Sequence, residues 1–283
     1  MGMQGYILER YNVMADAYTC RRLAEEGRRE DMDIRIIGVM DTLVTDRAVL
    51  NGEEALSPRD FLINRYKWGR VKGAVAGLAA RCYNAAEAFD LYVNKYEQVK
   101  RLRSAGFCIP PYCLGTAAIP YGRLVDRLGT PFVAKGLESS MGREVFLIDG
   151  EEGYRSLSST FGQEKEWLYE AFIRSSYGRD IRFFSIRGTV VACMQRRSRN
   201  DFRANVALGA AVEPFKVTPE IEQIASDIYE QTGLDFLGID LLFGESKPWF
   251  CEINVMPGLK GIEAASGVNV ARQIILTIRG DFQ

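Results

Sequence analysis

The runs FLGIDLLFG and WFCEINV, joined by the short segment GESKP, constrain the fold more than any other stretch of the chain. Two β-rich apolar runs separated by a loop of hairpin length read as antiparallel neighbours. Centring the hairpin on Ser246 sets Asp240 opposite Glu252, and Asn254 follows on the same face because side chains alternate along a strand. Two facing carboxylates repel unless a cation lies between them, and two carboxylates with one carboxamide form a hard oxygen set suited to Mg²⁺ or Mn²⁺. Spacing alone leaves a second reading open: solubilising charges on an edge strand, with Asn254 a turn residue before Pro257-Gly258.

The chain has no histidine, which removes imidazole bases, Ser-His and Cys-His nucleophiles and most zinc or iron sites. Chemistry must run on carboxylates, Lys, Arg, backbone amides or a hard metal. Thirty-six basic against 37 acidic residues give a net charge of −1, so no global field recruits nucleic acid or an anionic membrane. The cysteines at 20, 82, 108, 113, 193 and 251 lack CxxC spacing and sit in apolar surroundings, as reduced core thiols do. MGMQGYILERY has no basic flank before a long apolar core, and VKGAVAGLAA is too short to span a bilayer. The expected compartment is the cytoplasm.

At 283 residues the chain is long enough for one large domain or two smaller ones. The β-like runs YILERY, DIRIIGVM and DFLINR alternate with helical patterns at 15–27 and 70–84, the rhythm of a small parallel α/β domain over 1–93. NKYEQVKRLRSAG reads as a helix stopped by Gly106, with an extended segment from Pro110-Pro111. Residues 94–283 then read as an α+β domain, mostly antiparallel sheet, with lobes at about 94–172 and 173–283.

No GxxxxGK[ST] or GxGxxG occurs. FVAKGLESSMGREVFLI instead places Lys135 at the end of a β run before a small-residue loop, Ser139, Ser140 and Gly142. Such a loop can cover phosphates with its backbone N–H groups while the lysine supplies charge rather than core packing; a plain hairpin is the other reading. Arg182, Arg196, Arg197, Arg203 and Asn205 fall within two dozen residues. On a strand Arg196 and Arg197 face opposite ways, so at most one readily enters the same cleft.

The segments PFVAKGLESSMG, DIRFFSIRGTVVACMQRRSRNDFRANVALG, FLGIDLLF and FCEINVMPGLKGIEAASGVNVA, in this order, resemble the ATP-grasp superfamily, specifically the RimK-like carboxylate–amine ligases. The resemblance covers roughly 58–280. It implies a small pre-ATP-grasp α/β domain followed by a two-lobed ATP-grasp domain. It also implies that Lys95 and Lys135 contact ATP phosphates beneath the loop from Ser139 to Gly142. Glu170, Ala171 and Phe172 would be the hinge at adenine, and Asp180 would lie near the ribose. Asp240, Glu252 and Asn254 would hold Mg²⁺ or Mn²⁺, as two ions. Arg182, Arg197, Arg203 and Asn205 would line the phosphate and acyl side as catalytic residues.

The chain departs from the family pattern at Glu138, where glycine is usual, at the hinge, and at Leu208-Gly209-Ala210, where Arg-Gly-Gly is common. The implied reaction joins a carboxylate to an amine through an acyl phosphate, releasing ADP and phosphate. Its substrates would be a small-molecule or peptide carboxylate and an amino acid amine, and the protein could be a homo-oligomer. Two alternatives are a ligase acting on a ribosomal precursor peptide and a non-catalytic ATP-binding regulatory module.

Overall fold

The computed structural model describes residues 2–12, 18–67, 69–140 and 142–283. Positions 15–17 of the expected first helix, Trp68 and Met141 of the expected lid loop lie outside the described residues. No helix among the described residues is long and apolar enough to cross a membrane.

The first layer comprises β1 (Gln4–Glu9), α1 (Tyr18–Arg29), β2 (Asp33–Gly38), β3 (Thr42–Val44), β4 (Val49–Asn51), β5 (Glu54–Ala55), β6 (Arg59–Asn64), α2 (Arg70–Ala76) and β7 (Ala79–Tyr83). Four of these strands form a parallel sheet in the order β2-β1-β6-β7. Its central strands are apolar on both faces, as a covered parallel sheet requires. Ile7, Phe61 and Ile63 pack towards α1, while Tyr6, Leu8 and Leu62 join Val75 of α2. Strands β3, β4 and β5 add a small antiparallel sheet not anticipated from the sequence.

The helical pattern expected over 70–84 is helical only to Ala76. Gly77 and Leu78 donate back to Gly73 and Val75, and Ala79–Tyr83 then pairs with β6 at the sheet edge. Alanine-rich sequence favours a helix only weakly, and strand pairing overrides it here.

The second half begins with α3 (Ala86–Tyr92) and α4 (Lys95–Ser104). Asn94 caps α4 by accepting from the Tyr96 and Glu97 amides, and Gly106, at φ +90°, stops the chain from continuing as helix. Asn94 is also where the sequence places the domain boundary. Phe89 and Tyr92 of α3, just before it, already pack into the core of the large C-terminal sheet.

β8 (Tyr112–Thr116), α5 (Tyr121–Leu128), β9 (Phe132–Gly136), β10 (Val145–Ile148), α6 (Glu151–Phe161) and β11 (Glu166–Ala171) build an antiparallel sheet ordered β10-β9-β11-β8. Phe132, Tyr154, Trp167 and Tyr169 fill the space between this sheet and its helices.

β12 (Arg179–Ile186), β13 (Thr189–Arg197), β14 (Ala211–Pro214), α7 (Pro219–Thr232), β15 (Phe236–Leu242), β16 (Trp249–Asn254), α8 (Lys260–Ser266) and α9 (Val270–Gly280) complete the chain. Their sheet runs β14-β13-β12-β15-β16, antiparallel throughout. α7 covers one face. On the other, α9 buries Ile274, Ile275 and Ile278 against Ile7, Leu23 and Phe61, which ties the C-terminus to the first sheet.

Candidate active site

The two antiparallel sheets face each other across a cleft, and strand register decides which side chains enter it. Asp240 lies opposite Glu252, and Gly238 opposite Asn254. Nearer the turn, Leu241 faces Phe250 and Leu242 faces Trp249, so the turn itself centres between Glu245 and Ser246. That turn alone would set Asp240 against Cys251. A one-residue bulge at Cys251 restores the Asp240–Glu252 pair and lets both Cys251 and Glu252 line the cleft.

On the next strands Arg182 lies opposite Asp240, and Arg196 opposite Asp180. The result is an alternating lattice of charge. Arg182 donates through Nε and Nη2 to the two oxygens of Asp240, each at 2.5 Å. Arg196 grips both oxygens of Asp180 at 2.6 Å and reaches Asp240 at 2.8 Å. Burial pushes the Asp180 carboxyl up to about 6 although Arg196 pulls it down. Burial would raise Asp240 as well, but the guanidiniums of Arg182 and Arg196 converge on it and hold it below the usual carboxylate range.

The facing sheet supplies Lys135 from β9, buried, with Nζ 2.5 Å from Glu170 of β11 and 3.5 Å from the Cys251 carbonyl. Burial opposes its charge, but the Glu170 carboxylate, paired with it, and the more distant Glu252 favour the cation and raise its pKa above the lysine range. Burial, which also disfavours the charged form here, pushes the Cys251 thiol up to about 12, so it stays protonated at neutral pH. Ala171 and Phe172 line the same cavity, with Phe172 edge-on to Tyr177 and Phe202.

The loop after β9 lies over this cleft. Lys95, the first residue of α4, donates to the Ser139 carbonyl at 2.5 Å and lies 3.7 Å from Glu252. Arg203 is braced by Asp201 and donates to the Gly142 carbonyl at 2.7 Å. Gly142 has φ +71°, and a Cβ there would come within 2.9 Å of Asn205 Oδ1. The positive φ is what favours glycine, since the Asn205 side chain could shift away from a Cβ. Lys67, from the first layer, donates to the Glu138 carbonyl at 3.0 Å. Burial, with Lys95 nearby, lowers its pKa to about 8.

The structure thus gathers Lys95, Lys135, Ser139, Ser140, Gly142, Glu170, Ala171, Phe172, Asp180, Arg203, Asn205, Asp240 and Glu252 around one cavity. Arg182 and Asn254 line an adjoining one. One expectation changes and two gain detail. Arg197 is not in the cleft: it is more than half exposed and pairs with Glu213 at 2.9 Å on the opposite face, while its neighbour Arg196 occupies the cleft. Asp180, expected beside a ribose, spends both oxygens on Arg196. Arg203 keeps its expected place in the lining and also ties down the loop.

Among the described residues no group of three or more Asp, Glu, Cys or His side chains could hold a metal. A hard cation here therefore needs the carboxamide of Asn254 beside Asp240 and Glu252, with water or phosphate oxygens completing the shell. The chemistry of that donor set fits Mg²⁺. Glu252 is partly exposed and Asn254 Nδ2 already touches its Oε1 at 3.2 Å, whereas Asp240 would have to exchange a guanidinium for the ion. Arg65 and Glu9, absent from the sequence-derived set, also face the adjoining cavity. Their only local signal is position at the C-terminal ends of two β runs.

A family model described as a RimK-like ATP-grasp domain matches residues 94–278. The probable alpha-L-glutamate ligase of Thioalkalivibrio sulfidiphilus is 30% identical over 276 residues, covering 92% of this chain and 91% of that protein. The one from Haemophilus influenzae is 27% identical over 278 residues, covering 91% and 92%. Among solved structures, the ATP-grasp ligase PsnB complexed with a minimal precursor superposes with a TM-score of 0.75 at 13% identity, covering 99% of both chains. D-alanine–D-alanine ligase from Bacillus anthracis complexed with ATP gives 0.70 at 17%, covering 99% and 100%. At these identities the structural likeness speaks for the fold alone.

Proposed function

This chain belongs to the RimK-like ATP-grasp family of ATP-dependent ligases, and we propose that it phosphorylates a carboxylate with ATP and passes the acyl group to the amine of an amino acid. One observation carries this reading: the cleft between the sheets and the adjoining cavity share a wall made by Lys95, Ser139, Ser140, Arg196, Asn205 and Glu252. A nucleotide in the first and a substrate in the second would meet there.

In this reading Lys95 and Lys135 neutralise the phosphates while the backbone of the 139–142 loop covers them, and the segment 170–172 borders the base. Asp240, Glu252 and Asn254 would hold Mg²⁺ or Mn²⁺, as two ions, which supply charge neutralisation for the transferring phosphoryl group. The carboxylate oxygen attacks the γ-phosphorus and ADP leaves, giving an acyl phosphate. The neutral amine then attacks the acyl carbon; the C–N bond forms, the C–O bond to phosphate breaks, and phosphate departs with the electron pair and takes up the proton that the nitrogen sheds. Arg196, which lines the shared wall, would then help to stabilise the oxygen that becomes negative in between. No side-chain nucleophile is needed, which suits a chain without histidine. Such an enzyme would work in the cytoplasm on small or peptide substrates, without nucleic acid or membrane.

The test is ADP release with Mg²⁺ against pooled carboxylates, amino acids, dipeptides and peptides, run for the parent and Glu252→Gln. Amine-dependent ADP release by the parent and its loss, by about 100-fold or more, in Glu252→Gln are expected. A Glu252→Gln variant that turns over normally would remove the metal assignment. Absence of ADP release from every pool would favour the non-catalytic module.

A further inference from the structure

The adjoining cavity, of about 450 Å³, has room for a small-molecule carboxylate, and part of its lining is apolar: Val93, Val206, Ala207, Val255 and Met256. Val206 and Ala207 belong to the single helical turn 206–208 that follows Asn205. The Leu208 amide donates to the Asn205 carbonyl at 2.9 Å and the Gly209 amide to the Val206 carbonyl at 3.0 Å, and Gly209, at φ +89°, ends the turn. A Cβ on Gly261 would lie 3.5 Å from Val206 Cγ2, and one on Gly142 would lie 3.4 Å from Leu208 Cδ1. The turn therefore stands between α8 and the 139–142 loop, at the mouth of the cavity.

This turn is unusual in what it shows to water. Val206 is 42% exposed and Leu208 43%, although short connections ordinarily carry polar residues. One exposed leucine on a protein surface needs no explanation, whereas Val206, Ala207 and Leu208 in succession present a continuous apolar lip beside a cavity. The charged side of the same cavity is already committed. Arg65 donates to the Pro257 carbonyl at 3.2 Å and lies 3.5 Å from Glu9. Lys67 donates to the Glu138 carbonyl, Lys95 to the Ser139 carbonyl, and Arg182 and Arg196 to Asp240. A second carboxylate on a substrate would have to take one of these cations from its protein acceptor.

We infer that Val206 and Leu208 determine specificity for the carboxylate substrate, selecting one whose body beside the reacting carboxylate is apolar and carries no second acidic group. The reacting carboxylate must stand at the wall shared with the nucleotide cleft, where it meets the γ-phosphate. Asn205 is part of that wall and Val206 directly follows it, so the substrate atoms next to the carboxylate meet the turn first. Covering the two side chains removes apolar surface from water, while a charged group in the same place would lose hydration with no side chain of the turn to replace it. The inference rests on the ligase reading above and names the class of its acyl substrate.

The experiment measures ADP release with Mg²⁺ and a fixed pool of amino acids as amines, whose background release is subtracted. The added carboxylates are the free and N-acetylated forms of alanine, valine and leucine against those of aspartate and glutamate. Within the apolar series kcat/KM should rise by about fourfold for each methylene that the lip covers, and the acidic forms should fall about tenfold or more below leucine. Val206→Thr combined with Leu208→Asn should raise KM for the leucine form by about tenfold, more than it lowers kcat, with the AMPPNP-induced melting shift retained. A turn that serves stability alone would lower the melting temperature of that variant without moving KM. The inference is overturned if the acidic forms react as well as the leucine form, if reactivity does not grow along the apolar series, or if the double variant keeps the parental KM. Amine-dependent ADP release in any of these cases leaves the ligase reading intact. Should neither series release ADP, the same acids are compared by melting shift in AMPPNP and Mg²⁺. Stabilisation by the leucine form and not by the acidic forms then supports the lip without the ligase reading, and any other pattern overturns it. If the double variant fails to fold, the two series compared on the parent decide alone.

Discussion

On the four-stranded sheet the cleft buries one simple ion pair, Lys135 with Glu170, whereas on the five-stranded sheet it buries an interlocked set, Arg182 and Arg196 with Asp180 and Asp240. In the pair each charge has one close opposite partner, so the two stand or fall together. In the lattice Arg196 separates two buried carboxylates, and removing it leaves them facing each other. Buried pairs add little net stability but are costly to break, so the number of partners a charge holds should set the size of the damage.

The largest effect is therefore expected at Arg196. Arg196→Met should cost about 3–5 kcal/mol by urea unfolding and lower the melting temperature by roughly 10 °C. A variant that melts within a degree or two of the parent would show that Asp180 and Asp240 are compensated elsewhere, and the contrast between the walls would collapse. Lys135→Met comes next. A phosphate-facing lysine read from sequence has no part in stability, yet its burial against Glu170 predicts a loss of about 2–3 kcal/mol. The double variant Lys135→Met with Glu170→Leu should recover all but about 1 kcal/mol while remaining unable to bind nucleotide tightly. Failure to recover would make the pair as interlocked as the lattice. The smallest effect is expected at Arg197→Ala, whose exposed pair with Glu213 should contribute no more than about 0.5 kcal/mol and leave ligation unchanged. A large loss of activity there would return Arg197 to the cleft.

Much of this arrangement was legible in the chain. Alternation along FLGIDLLFG and WFCEINV puts Asp240, Glu252 and Asn254 on one face, because side-chain period is a local property of an extended backbone. The helix read over NKYEQVKRLRSAG, stopped by Gly106, is α4, since a helix stop is also local chemistry. The same locality explains the failures. Ala79–Tyr83 carries little strand preference of its own and becomes β7 only because β6 lies beside it.

What tertiary structure alone decided is which of two equivalent faces meets the cleft. Sequence says that Arg196 and Arg197 point apart; only the pairing of β13 with β12 and β14 says that Arg196 goes inward to Asp180 and Asp240. The turn fixes a register that would miss Glu252, and the bulge at Cys251 corrects it. Glu9 and Arg65, 56 positions apart, become neighbours because β1 and β6 pair in parallel across a reversal of strand order. Periodicity and capping are set by neighbours in sequence, while face, register and the meeting of distant charges are set by partners that the local sequence does not encode.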